Sequence, residues 1–184
     1  MENKYFRYIE DALPKDIQDL FENEVEPNGN LPFYVKKSQA PEGPHIPWLS
    51  HYIVIDGSQN TSDLITHYSS DICHRVLSNT SITCNEIVQS RICMYLQSNL
   101  PNNTSGKHID DVEGSNYTII YYINDNDGGT VFYDDDGVEL FRAPSKKGSA
   151  VVFDSSFMHA VLNPNKSSWR AVINYNITGT MNRT

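Results

Sequence analysis

Apolar residues recur along this chain with two different periods, and the change from one to the other divides it. In ALPKDIQDLFENEV, Leu13, Ile17, Leu20, Phe21 and Val25 fall at helical spacing, which predicts an amphipathic helix with Pro14 near its start. SDLITHYSSDICHRVL repeats the pattern through Leu64, Ile65, Tyr68, Ile72, Val76 and Leu77, with Asn60 or Thr61 as the expected cap. Between the two, residues 26–50 are rich in proline and glycine and read as loop with a short strand. HYIVIDG, at 51–57, reads as a strand running into a turn. From about residue 85 the runs become short and β-like: IVQSRICMYLQS, YTIIYYIN, TVFYD, VELFRA, SAVVFD, MHAVL and RAVINYNIT. LPNNTSG, DNDGG, DDDG, PSKKG and NPNKSS punctuate them. Many short strands with regular turn signals predict a sandwich or barrel of Greek-key or jelly-roll type. The expected architecture is mainly β with flanking helices: one domain over 1–184, in which residues 1–84 give helical and loop support to a β core at 85–180.

Charge and composition narrow the partners. The 184 residues carry a formal net charge of −9, which disfavours nucleic acid and fits a neutral or basic partner better. No apolar run is long enough to span a bilayer, and MENKYFRYIEDALPKD lacks the apolar centre of a signal peptide, so a cytoplasmic location is expected. Cys73, Cys84 and Cys93 are odd in number and show no CxxC spacing, which argues against a disulfide framework or a zinc-cysteine site. Asp125, Asp127 and Gly128 open somewhat like a calcium loop. Thr130, where such a loop needs glycine, and Asp136, where it needs glutamate, favour hairpin turns instead.

The chemistry concentrates in SGKHIDD, 105–111. Alternate residues of an extended chain face the same way, so His108 and Asp110 project together if the stretch is extended. Alone they could be a solvated pair. Of the other histidines, His67 and His74 sit in the expected helix, His45 and His51 in or beside the loop-rich region, and His159 within the β region. Two histidines and one carboxylate on a β scaffold form a facial set that leaves adjacent positions open, which suits Fe(II); zinc accepts the same ligands. Arg170 follows in SSWRAVINYNITG, where alternation puts Arg170, Val172, Asn174 and Asn176 on one face. If that face lines a cavity, the arginine needs a buried anion, and a dicarboxylate supplies one.

Taken in order, HID at 108–110, His159, Arg170 and the block YYIN at 121–124 resemble the 2-oxoglutarate/Fe(II)-dependent oxygenases. TIIYYINDNDGGTVFYDDDG and KKGSAVVFDSSFMHAV look most like the prolyl 4-hydroxylase-like branch, and the resemblance covers roughly residues 85–178. It implies a double-stranded β-helix (a cupin-like jelly roll), Fe(II) on His108, Asp110 and His159, and 2-oxoglutarate paired with Arg170. It implies further co-substrate contacts from Tyr122 and Asn174, and a weaker match at Asn99, for which Tyr95 is the substitute. Tyr121 is expected to be packing, and Asp111 a loop residue beside the ligands. The implied reaction is hydroxylation of a C–H bond by O2, with 2-oxoglutarate converted to succinate and CO2 and ascorbate as accessory reductant. A prolyl or other amino-acid residue leads the candidate substrates, and a small molecule is the other class. The loops at 26–50 and 101–107 are candidates for a substrate-covering lid. Two alternatives stand beside this: a cupin-type metalloenzyme without 2-oxoglutarate, and a jelly-roll binding protein with no catalysis. Oligomeric state is not legible.

Overall fold

The computed structural model describes residues 5–27, 31–36, 47–99, 103–110 and 112–182. In chain order the elements are β1 (Phe6–Ile9), α1 (Lys15–Val25), β2 (Tyr34–Lys36), β3 (Trp48–Ile55), β4 (Ser58–Gln59), α2 (Asp63–Leu77) and β5 (Ile82–Leu96). They continue as β6 (Tyr117–Tyr122), β7 (Gly129–Tyr133), β8 (Glu139–Pro144), β9 (Ala150–Asp154), β10 (His159–Leu162) and β11 (Trp169–Met181). The helices follow the apolar spacing. The cap of α2 is Ser62, whose hydroxyl accepts from the Ile65 amide at 3.5 Å, one residue beyond the expected Thr61. No helix among the described residues is long and apolar enough to cross a membrane.

The strands form two antiparallel sheets. The major sheet has the order β1-β9-β6-β11-β5-β3-β2 with β4 on β3, and the minor one the order β10-β7-β8. From β6 onward the chain passes between the sheets at every connection but the β7–β8 hairpin, as a double-stranded β-helix allows. DNDGG therefore carries the chain from β6 in the major sheet to β7 in the minor one and is not a hairpin turn. DDDG is one: the Asp134 carboxylate accepts from the Val138 amide at 2.7 Å, and Gly137 takes a φ of 80°. The first 84 residues supply more than helices and loops, because β1 pairs with β9, and β3 with β5.

Alternation on the major sheet separates two apolar layers. Ile92, Met94, Ile119, Tyr121, Ile173, Tyr175 and Ile177 face outward and are covered by Phe21 and Val25 of α1 and Ile72, Cys73 and Val76 of α2. The helices exist as stable elements because this layer buries their apolar stripe. The inner face carries Trp48, Cys93, Ile120, Tyr122, Val151, Phe153 and Val172, packed with Phe132 and Ala143 of the minor sheet. The same inner face holds the charged groups of the site.

Candidate active site

His108 and His159 meet through their backbones before their side chains do. Each donates its N–H to the other's carbonyl at 2.9 Å, an isolated antiparallel bridge that joins the 103–110 segment to the minor sheet. Directly opposed residues of such a pair point their side chains the same way, and the ring centroids lie 4.4 Å apart. Asp110, two residues on, is tied by its amide to the Ser155 carbonyl at 3.2 Å. Its carboxylate Oδ2 stands 3.8 Å from Nε2 of His159. One ligand atom from each of His108, Asp110 and His159 lies within 4.8 Å of the other two.

Each imidazole is set by a carbonyl two residues earlier. Nδ1 of His108 contacts the Gly106 carbonyl at 3.1 Å, and Nδ1 of His159 the Phe157 carbonyl at 2.9 Å. A carbonyl only accepts, so Nδ1 carries the proton and Nε2 offers a lone pair. Burial alone would raise the Asp110 carboxyl; the charges of His159, Arg91 and His108 and the Asn174 amide, donating at 3.3 Å, bring it below its ordinary value. Burial lowers His159, leaving it neutral and fit to ligate.

Arg170 is 1 % exposed and has no carboxylate within 4 Å among the described residues. Its Nη2 donates to Thr130 Oγ1 at 3.2 Å, whereas Nε and Nη1 are buried without partners. The guanidinium lies over the rings of Tyr95 and Tyr122, 5.0 and 5.6 Å from their centroids. Tyr122 also donates to Thr130 Oγ1 at 2.9 Å, and burial pushes its phenol up to about 12. A buried guanidinium with two idle donors is costly unless an anion completes it. The donor sets thus fit both implied groups: two imidazoles and a carboxylate suit Fe(II), and the bare face of Arg170 suits one end of a dicarboxylate.

The other expected residues sort by position. Tyr95 joins the cluster on Arg170, and its ring also stacks on Trp48 at 6.0 Å. Asn174 reaches Asp110, and its Oδ1 is buried without a partner. Asn99 is exposed in the segment after β5 and makes no hydrogen bond among the described residues. Tyr121 lies in the outer layer, and Cys93 in the inner one. His51 has both ring nitrogens paired, with the Pro32 carbonyl and Thr61 Oγ1 at 2.9 Å each. Asp111, His45 and parts of both proposed lid loops, 28–30, 37–46 and 101–102, lie outside the described residues.

Three residues escaped the sequence reading. Asn124 accepts from the Ala171 amide at 2.9 Å and donates to the Trp169 carbonyl at 3.2 Å, bracketing Arg170. Thr130 receives both Arg170 and Tyr122. Gly128 lets the arginine pass: a Cβ there would stand 2.9 Å from Arg170 Cδ and 2.6 Å from the Leu162 carbonyl oxygen. The block YYIN and the Gly-Gly pair were the available signals.

Comparison with known proteins gives three kinds of result. No curated protein matches the sequence. Solved structures match the fold: a prolyl-4-hydroxylase from Pseudomonas putida has a TM-score of 0.62 at 15% identity over 98% of this chain and 94% of its own. A prolyl hydroxylase from Trichoplax adhaerens, in complex with a hypoxia inducible factor oxygen degradation domain peptide fragment, has 0.65 at 17% identity over 94% and 83%. The non-heme alpha ketoglutarate dependent epimerase SnoN, from nogalamycin biosynthesis, has 0.59 at 11% identity over 98% and 81%. At these identities the likeness is one of fold. The model of the 2OG-Fe(II) oxygenase superfamily matches residues 92–178, the span that carries the triad and Arg170. Through that span, just under half of the 184 residues, the β-helix core of this chain is similar to the 2OG-Fe(II) oxygenase superfamily.

Proposed function

We propose that the chain is a 2-oxoglutarate- and Fe(II)-dependent dioxygenase that hydroxylates a C–H bond of an amino acid or amino-acid residue, with proline the leading candidate. One observation carries this: a His–Asp–His set touches, through Asn174, the same strand that carries a buried, half-unpartnered guanidinium. When bound, Fe(II) and 2-oxoglutarate supply O2 activation, so that R–H, 2-oxoglutarate and O2 give R–OH, succinate and CO2. In this reading His108 and His159 offer Nε2, and Asp110 offers a carboxylate oriented by Asn174. Arg170 takes the distal carboxylate of the co-substrate with N–H groups that have no partner in the protein, while Thr130 accepts one N–H of Nη2. The rings of Tyr95 and Tyr122 cover the guanidinium and keep water from competing for it. Ascorbate acts from solution, keeping the iron ferrous, with no residue assigned to it.

The Trichoplax relative's peptide supports a peptide as one substrate class, and the epimerase shows how varied the reactions of this fold are. A cupin-type metalloenzyme without 2-oxoglutarate would leave Arg170 buried and unpaired, so nothing favours it. The test is succinate formation from 2-oxoglutarate under air with Fe(II) and ascorbate. Wild type should form succinate slowly without substrate and faster with it; His108→Ala should form none, and Arg170→Gln should raise the KM for 2-oxoglutarate. Succinate formation that survives His108→Ala would refute the assignment.

A further inference from the structure

A second arginine lines the inner face of the major sheet, and the co-substrate reading has no use for it. Arg91 on β5 stands in register with Tyr52 of β3 on one side and Asn174 of β11 on the other. Asn174 is the residue that touches Asp110. Arg91 is therefore one strand away from the group that orients the triad. Arg170 is in register with Tyr95, four residues along the same strand, so the two arginines start from backbone positions roughly 13 Å apart.

The Arg91 side chain is held but not satisfied. Its guanidinium lies 5.5 Å from the Trp48 ring centroid and 6.0 Å from that of Tyr52. Nη1 donates to Gln89 Oε1 at 3.0 Å. Nε is buried without a partner, and Nη2 donates to no oxygen or nitrogen among the described residues; only the Cys93 thiol, a weak acceptor, stands beside the guanidinium. Nε and Nη2 are the parallel pair of N–H groups that donates to both oxygens of one carboxylate. Among the described residues no carboxylate lies within 4 Å of Arg91, in a chain holding 23 acidic residues. Asp110 acts on Arg91 only from farther away.

We infer that Arg91 is a specificity-determining residue that binds the free carboxylate of a small substrate, a free amino acid, held beside the triad. This rests on the proposed oxygenase function of the same cavity. A residue within a peptide has its carboxyl tied up in an amide and offers one neutral oxygen in place of the two charged oxygens that match the fork. An acidic peptide would fill the fork but is repelled by a chain of net charge −9, whereas a zwitterionic amino acid carries no net charge to repel.

The test is calorimetric titration of the protein loaded with Mn(II) and 2-oxoglutarate, using each of the common L-amino acids, L-proline first, and the carboxamide of any that binds. Wild type should bind at least one amino acid and lose it on amidation. Arg91→Gln should weaken that binding roughly 10- to 100-fold, and Arg91→Lys should restore only part, because it returns the charge without the fork. Affinity for 2-oxoglutarate should change less than twofold in Arg91→Gln but fall sharply in Arg170→Gln. Binding of no amino acid, equal binding of the amide, or loss of 2-oxoglutarate on Arg91→Gln would each overturn the inference. Repeating the titrations without 2-oxoglutarate separates the two readings. A wild type that rejects the co-substrate contradicts the oxygenase reading, and its response to amino acids still decides the role of Arg91.

Discussion

Gly128 is where a missing side chain matters most, since three atoms already lie within 3 Å of the place a Cβ would take. One of them is Arg170 Cδ itself, and another is the Leu162 carbonyl oxygen. Gly128→Ala should displace Arg170 and weaken 2-oxoglutarate binding by about 5- to 100-fold, the equivalent of ~1–3 kcal/mol of overpacking. Titration of the variant with 2-oxoglutarate checks this, and unchanged affinity would mean that the arginine is positioned otherwise. Asp127, one residue earlier, has a different task. Its exposed carboxylate accepts from the amides of Asn165, Lys166 and Ser167 at 2.9 to 3.1 Å, clasping the β10–β11 connection. The slight burial would raise it; the three amides outweigh that and hold it at about 2, against an ordinary 3.8. A depressed carboxylate stabilises the fold above its unfolded pKa and loses that contribution as pH falls through its folded value. The stability gap between wild type and Asp127→Asn, followed by denaturant melts, should therefore be full at neutral pH and close between about pH 4 and pH 2. Neither role is legible in the sequence, because each depends on partners about 40 residues away. His108, Asp110, His159 and Arg170 were legible because their order and residue types are themselves the motif.

The helices and most strands could be read from the sequence, since each helix buries one apolar stripe and each strand is a short apolar run between turn residues. What periodicity does not carry is pairing. DNDGG and DDDG look alike as strings, yet one crosses between sheets and the other closes a hairpin. β1 is four residues long, and its place on β9 follows from a free sheet edge far along the chain. α2 shows how much an element depends on the layer it covers: Ile72 is 1 % exposed against the outer face of the major sheet. Ile72→Ala should cost about 2–5 kcal/mol in a denaturant melt, with the affinity for 2-oxoglutarate retained while the variant is folded. A loss under about 1 kcal/mol would mean that the helix is only loosely docked.

The molecule as a whole separates its two chemistries by face. The outer face of the major sheet is apolar and sealed by helices; the inner face carries Arg170 and Arg91, and the triad is brought to it by the minor sheet and the 103–110 segment. An acidic chain keeps two partly unsatisfied arginines there, which are intelligible as receptors for carboxylates brought from outside. The most direct measurement is the visible spectrum of the protein with Fe(II) and 2-oxoglutarate in the absence of oxygen, alongside Asp110→Ala and Arg170→Ala. A weak charge-transfer band should develop in wild type and be lost in both variants. A wild type that binds Fe(II) and shows no band on adding 2-oxoglutarate would contradict the pairing of the triad with Arg170 as one catalytic site.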